Sequence, residues 1–308
     1  MLPLDILVVG VGRWGKRHLA ALKELQRKGL VDGLFAYDID ESRRKVVEDT
    51  GAIWAPNLKK RGMAAVVATT TESHYRVARN LIEAGMHVLI EKPMAQTTED
   101  AHGLMDAALA KGTIIETGLL LRHHPAVKRA RLLIAEGAIG NIERIHCTRL
   151  STRPCRENES IIDVLAIHYL DLCCHFLHEA EPMTTQAQID TTPKSMRCRI
   201  SLGFHPGIEG LCDVEWGASE EVRKMEIIGT EDRIELDFAN HSSLLLGEQK
   251  IILKDQIPPL TAELITFLER CSNMGEQPTT TGRPALRSVG WKDRLSIIDA
   301  GLPSLQQH

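Results

Sequence analysis

Nowhere in the 308 residues does the chain approach the roughly 18 consecutive apolar residues that a membrane-spanning helix needs. No basic leader with a cleavage site precedes the first apolar run. Charge of one sign never accumulates: the net charge of -4 and a pI near 6.4 leave no basic footprint for nucleic acid. The seven cysteines, Cys147, Cys155, Cys173, Cys174, Cys198, Cys212 and Cys271, are an odd number without C-x-x-C spacing. That argues against a disulfide framework or a zinc knuckle and reads as reduced, buried thiols. Internal repeats and low-complexity segments are absent too. These absences lead to the expectation of a soluble, cytoplasmic protein with no nucleic-acid partner, no membrane and no metal. What remains is ordinary globular composition, 43% hydrophobic and 25% charged, long enough for two domains.

The most informative stretch is Ile6-Leu-Val-Val-Gly-Val-Gly-Arg-Trp-Gly-Lys-Arg-His18. An apolar run passes through Gly10, Gly12 and Gly15 into leucines at helical spacing, Leu19, Leu22 and Leu25. Strand, glycine turn and helix in this order form a dinucleotide-binding fingerprint. Gly10 suits the tight turn, Gly12 lets backbone approach a pyrophosphate, and Gly15 lets the helix pack closely. Arg13 and Trp14 open the helix, whose N-terminal amides favour phosphate. A second strand, residues 34–37, runs into Asp38, where a carboxylate would bond ribose hydroxyls and repel a 2'-phosphate. The reading is NAD, with NADP kept open by Arg43 and Arg44 nearby.

Up to residue 118, short apolar runs alternate with amphipathic ones, as in a doubly wound parallel sheet. Helix is predicted over residues 41–50, 75–84 and 101–111, and strand over 64–69, 87–90 and 114–118. Thr69, Thr70 and His74 follow the third strand, at the edge where this architecture takes its ligand. Glu91-Lys92-Pro93 puts a charged pair at the end of a buried strand. The pattern then changes. Residues 126–136 predict a helix, 142–150 a strand with one wet face, 153–160 a loop, and 161–177 an apolar helix carrying Asp163, His168, Asp171, His175 and His178. Seven runs between residues 184 and 253 predict a mostly antiparallel sheet open on one face. Residues 260–271 and 285–300 predict closing helices, with residues 278–284 as the loop between them. The fold class is α/β: a doubly wound domain over residues 1–120 and a second α/β domain over 121–308.

The fingerprint, Glu91-Lys92-Pro93 and His168-Tyr-Leu-Asp171, in this order and at these spacings, resemble the glucose-fructose oxidoreductase, inositol dehydrogenase and rhizopine-catabolism (Gfo/Idh/MocA) family. The resemblance implies a Rossmann domain, a second domain whose open sheet often serves oligomerisation as a homodimer or homotetramer, and NAD(P)-dependent oxidation of sugars, polyols or nucleotide sugars. It implies that Lys92 bonds the reacting hydroxyl and reaches toward the nicotinamide ribose, with Glu91 among the cofactor residues. His168 would be the acid-base group, and Asp171 lies three residues on along the same helix. Imidazole titrates near working pH, and an ammonium stabilises a developing alkoxide.

One departure concerns an acid that many members carry four residues before the histidine. Here that position is Val164, and Asp163 is displaced by one residue, about 100° around an α-helix. Either a local bulge or a helix start restores Asp163 to the site, or the role is empty. Arg122, His123 and His124 precede Pro125 where the resemblance places substrate contacts; a capping or hinge segment is the other reading. Arg149, Arg153 and Arg156 suit substrate phosphates or are plain solvated charges. The stretch from Pro125 to Arg149 is similar to the branch that oxidises the 3-hydroxyl of UDP-N-acetylglucosamine. A non-catalytic NAD-binding regulator and a carbonyl or imine reductase remain as alternatives on this scaffold.

Overall fold

The computed structural model describes residues 3–58, 63–155, 159–205, 207–254, 257–272 and 282–299. The chain divides into two compact units, one of residues 1–123 with 257–290 and the other of residues 124–256 with 291–308.

In the first unit, β1 (Leu4–Val9), β2 (Val31–Tyr37), β3 (Ile53–Trp54), β4 (Ala64–Val67), β5 (His87–Ile90) and β6 (Ile115–Thr117) pair in the order β3-β2-β1-β4-β5-β6. Every pairing is parallel. Strand-to-strand crossovers are made by α1 (Arg13–Arg27), α2 (Arg44–Asp49), α3 (Thr71–Glu83) and α4 (Thr98–Lys111). Residues 41–50, predicted as one helix, open with a 3-10 turn over Glu41–Arg43, because the Asp40 side chain accepts the Ser42 amide and tightens the start. Side chains alternate across the sheet. Leu7, Val9, Ala65, Val67, Val88 and Ile90 face one core with residues of α3 and α4, while Ile6, Val8, Ala64, Val66 and Leu89 face the other with Leu19, Leu22 and Leu25 of α1. Two covered faces explain the uninterrupted apolar strands.

The second unit begins with α5 (Pro125–Ala135) and β7 (Ile142–Ser151). After a π-helical turn (Ile162–Ala166) comes α6 (Ile167–Phe176), followed by β8 (Thr184–Thr191), β9 (Met196–Phe204), β10 (Ile208–Trp216), β11 (Val222–Gly229), β12 (Arg233–Asp237), β13 (Ser243–Leu246) and β14 (Gln249–Ile252). With a last strand, β15 (Ser296–Asp299), they form one sheet in the order β14-β13-β12-β11-β7-β10-β9-β8-β15. The sheet is antiparallel except where β7 meets β10 and β8 meets β15. Its strands alternate buried and wetter residues. The inner face packs Cys147, Ile200, Cys212 and Val214, all at most 1% exposed. The other face carries cross-strand ion pairs: Arg144 with Glu209 at 3.1 Å, Asp213 with Arg199 at 2.7 Å and with His146 at 3.0 Å, and Arg197 with Glu215 at 2.8 Å. This is the open face that the alternating pattern predicts.

The chain then returns to the first unit. On α7 (Pro259–Ser272), Leu264, Phe267, Leu268 and Cys271 join the core of Leu19, Leu22 and Leu25, and on α8 (Gly282–Arg294), Ala285 and Val289 join the opposite core. The reading of residues 121–308 as one continuous domain therefore differs from the contacts, because the apolar stripe of α7 is complementary to α1. The helix predicted over 285–300 ends at Arg294, and β-branched Ile297 and Ile298 continue as strand. Of the seven cysteines six are buried, but Cys155 is exposed, since it lies in the polar loop after β7. Among the described residues no helix is long and apolar enough to cross a membrane.

Candidate active site

Parallel register brings the strand ends of the first unit level. Val9 pairs with Tyr37 and Val67, Val67 with Ile90, and Ile90 with Thr117. Gly10, Asp38, Thr69, Lys92 and Gly118 therefore follow strands that stop along one edge. The strand order reverses between β1 and β4, the position where open α/β sheets take their ligands.

The three glycines are needed for three different reasons. Gly10 has φ +92°, and a Cβ there would lie 2.7 Å from the Ala68 carbonyl oxygen. A Cβ on Gly15 would lie 1.8 Å from the Gly10 carbonyl oxygen. A Cβ on Gly12 would meet nothing within 4 Å among the described residues. The protein itself does not require glycine at 12, so the open space over that exposed backbone is what an approaching pyrophosphate would use. Gly12 caps α1 without a side-chain hydrogen bond, and the first turn holds no acid, so its positive end is uncompensated. Arg13 is exposed, and Trp14 is half-buried with the Arg17 guanidinium 4.8 Å above its ring. Asp38 accepts the amides of Val11 at 2.6 Å and Asp40 at 2.9 Å, which fixes its carboxylate beside the glycine turn. The residues present fit a dinucleotide. Arg43 and Arg44, which kept a 2'-phosphate open, face acids of their own segment, Asp40 at 3.3 Å and Glu48 at 2.8 Å.

Lys92 follows β5, half-buried, and the peptide bond to Pro93 is cis. Glu91 does not line an open surface. At 7% exposure its carboxylate accepts His18 Nε2–H at 2.8 Å and the Lys92 amide at 3.3 Å, tying the strand end to α1. His74 is likewise 1% exposed, its ring held between the carbonyl oxygens of Pro93 and Thr69. Both are corrections to the expectation that they face the cofactor: burial and two polar neighbours engage each side chain. Thr69 remains half-buried and Thr70 exposed at the N-terminus of α3. Arg122 is half-buried in the 3-10 turn Leu120–His123 after β6.

Sequence reasoning passed over Glu263 of α7. Its carboxyl is 1% exposed, neither oxygen has a hydrogen-bond partner among the described residues, and burial, then Glu91 and Glu116, push its pKa well above the usual carboxylate range. Glu116 is itself pushed up by burial, against the opposing pull of Arg270 at 2.6 Å. The signal was available: His18 beside Leu19 and Glu263 beside Leu264 are polar residues on apolar helix faces.

In the second unit a π-helical turn spans the segment that holds Asp163 and Val164. The Ile167 amide donates to the Ile162 carbonyl, five residues back. Asp163 lies inside this turn, and His168, five residues on, lies in the first turn of α6. Between residues 161 and 176 only Asp163, Val164 and His168 are half-buried; every other residue is buried, Asp171 at 2% included. Asp171 shares the helix but not that accessible patch.

His124, expected as a substrate contact, is 0% exposed. Its Nδ1 accepts the Ala126 amide at 3.1 Å as the N-cap of α5, and its ring stacks on His241 at 4.7 Å with Phe238 edge-on at 5.3 Å. This is the capping reading. Burial and the His241 charge lower its pKa to about 4. Arg149 pairs with Glu221 at 3.0 Å and Arg153 with Glu159, so both have protein partners, and Arg156 lies outside the described residues. Against the upward push of burial, the Thr152 amide, the Ser151 hydroxyl and Arg149 bring the Glu221 carboxyl down to about 2. His175 lies between Arg131 and Glu179 and is not part of a ligand cluster. Among the described residues, no three His, Cys, Asp or Glu side chains group as a metal site.

Comparison with known proteins places these units. Residues 4–119 match the model described as oxidoreductase family, NAD-binding Rossmann fold, and residues 127–235 match the GFO/IDH/MocA C-terminal domain. The UDP-N-acetylglucosamine 3-dehydrogenase of Acidithiobacillus ferrooxidans is 28% identical over 261 residues, covering 79% of this chain and 76% of that protein. The myo-inositol 2-dehydrogenase of Thermotoga maritima is 22% identical over 321 residues, covering 91% of each. The solved structure of the Acidithiobacillus enzyme superposes with a TM-score of 0.81 at 21% identity over 96% of this chain and 97% of that one. A levoglucosan dehydrogenase in complex with NADH gives 0.82 at 18% identity, covering 95% and 96%.

Proposed function

The chain belongs to the Gfo/Idh/MocA oxidoreductase family, with an NAD-binding Rossmann domain, and from that premise we propose that it oxidises a secondary alcohol of a sugar, with a UDP-N-acetylhexosamine 3-hydroxyl as its substrate. The observation that carries the reading is the accessible patch of Asp163, Val164 and His168 on a helix whose other residues are buried. His168 takes the hydroxyl proton, and the Lys92 ammonium stabilises the oxygen as negative charge develops. Asp163, one π turn away, supplies the acid whose usual position Val164 occupies. Bound NAD would supply the hydride acceptor, seated over Gly10, Gly12, Arg13, Trp14 and Gly15. The Asp38 carboxylate beside the turn favours NAD, since a 2'-phosphate would meet like charge. Arg122 is the remaining candidate substrate contact, while the buried His124 and Asp171 keep structural parts. The same reading puts the protein in the cytoplasm as a homodimer or homotetramer built on the charged sheet face.

The test is NAD reduction measured against UDP-N-acetylglucosamine, free sugars, inositols and levoglucosan, with Lys92→Ala as the control. Lys92→Ala should lower kcat by about 10³ with the Kd for NAD unchanged. Unchanged turnover in that variant overturns the mechanism, and activity on inositols alone overturns the substrate.

A further inference from the structure

His74 stands between two loops that both reach the strand-end edge. Its Nδ1 lies 2.9 Å from the Pro93 carbonyl oxygen, and its Nε2 lies 3.2 Å from the Thr69 carbonyl oxygen. Carbonyl oxygens only accept, and a neutral imidazole has a single N–H to give. Both contacts can be hydrogen bonds only in the imidazolium. Burial lowers the ring's pKa, opposed by the Pro93 and Thr69 carbonyls and by the charges of Glu91 and Glu72. A neutral ring must therefore choose one carbonyl, and the shorter contact is the one to Pro93. This selects the Nδ1–H tautomer.

The other flank of the same segment is held by a second imidazole. The Lys92 amide donates to one oxygen of Glu91 while His18 donates to the other. The backbone around Lys92 is thus gripped on both sides from α1 and α3, two helices anchored in opposite cores. A long, flexible side chain such as lysine inherits its starting point and direction from that backbone.

We propose that His74 is a positioning residue for Lys92: by donating from Nδ1 to the Pro93 carbonyl it sets the Lys92–Pro93 backbone, and through it the place of the ammonium group. The inference rests on the reading of Lys92 as the group that stabilises the reacting oxygen. His74 itself, at 1% exposure, is not in a position to touch a ligand.

Nitrogen-15 spectroscopy of histidine-labelled full-length protein, with His74 assigned through its couplings to the backbone, should show the Nδ1–H tautomer; Nε2–H overturns the proposal. This measurement needs no variant. His74→Asn places an amide nitrogen near the Nδ1 position and His74→Gln near the Nε2 position. With NAD and UDP-N-acetylglucosamine, His74→Asn should keep kcat within about threefold and His74→Gln should lose about tenfold or more, at unchanged Kd for NAD. Equal rates in the two variants, or losses that merely follow thermal stability, overturn it. In a Lys92→Ala background, His74→Gln should have no further effect on the residual rate, and a full additional tenfold loss overturns it. If Lys92→Ala alone leaves turnover intact, the catalytic reading fails, a result distinguishable from any outcome of the tautomer measurement.

Discussion

Lys92 and His168 are supported in opposite ways. Lys92 follows a strand whose ends are aligned by parallel register, and its backbone is held between the buried rings of His18 and His74. His168 lies in the first turn of α6, directly after a π turn, so its direction follows helical phase. Errors in the two supports have different consequences. A strand end moves only if hydrogen-bonded neighbours move with it, whereas one residue more or less in a helical turn rotates a side chain by about 100°. The first support is robust and built from long-range contacts; the second is sensitive and depends on a local hydrogen-bond choice.

Four measurements press on this contrast. His168→Asn should lower kcat by about 10²–10⁴ and remove the acidic limb of its pH profile, while NAD binding is retained. A retained pH profile would remove His168 from proton transfer. In the first unit, Gly15→Ala and Gly12→Ala separate fold from binding. With a Cβ 1.8 Å from the Gly10 carbonyl oxygen, Gly15→Ala should cost about 3 kcal/mol of stability in denaturant unfolding. Gly12→Ala should change stability by less than about 0.5 kcal/mol and weaken NAD binding at least about tenfold. Comparable stability losses in the two variants would mean that the glycine turn has no space for a ligand.

In the second unit acid should act through His124. The His124 pKa near 4 lies below its ordinary value because the ring is buried beside His241, with Asp237 pulling weakly the other way. The unfolded chain therefore takes up the proton first, and stability present above pH ~6.5 is lost as pH falls toward 4. His124→Asn, whose side-chain oxygen can still cap α5, should reduce the stability lost between pH 7 and pH 4.5 by about 2–3 kcal/mol. Identical pH dependence in both proteins would exclude this histidine as the acid-sensitive group. The smallest effect concerns helical phase. Asp163→Asn should lower kcat about tenfold, and Val164→Asp added to it should not restore the rate. Rescue by the aspartate at 164 would show that an α-helical phase governs the site.

How much of this was legible depended on the range of the forces involved. The glycine fingerprint and the strand–helix alternation were readable because each glycine and each apolar position answers to its own neighbours. All seven predicted runs of the mostly antiparallel sheet were found, and β9 and β10 show the alternation that one wet face imposes. The two-residue β3 was too short to carry a pattern. Glu91, His74 and His124 were singled out correctly as unusual but assigned to the ligand. The residue type shows a polar group at a special place; only the packing shows that Glu91 meets His18, that His74 meets two carbonyls, and that His124 caps a helix.

By itself the sequence determined the two-part α/β architecture, the dinucleotide turn and the order of Lys92 and His168 along the chain, because period-2 and period-3.6 patterns and glycine sterics act over a few residues. Tertiary structure alone decided that α7 returns to the first core, that Glu263 is buried beside Glu91 and Glu116, and that a π turn over Ile162–Ala166 precedes α6. Those outcomes depend on which surfaces meet and on which carbonyl an amide chooses, and neither choice is written in the residues next to it.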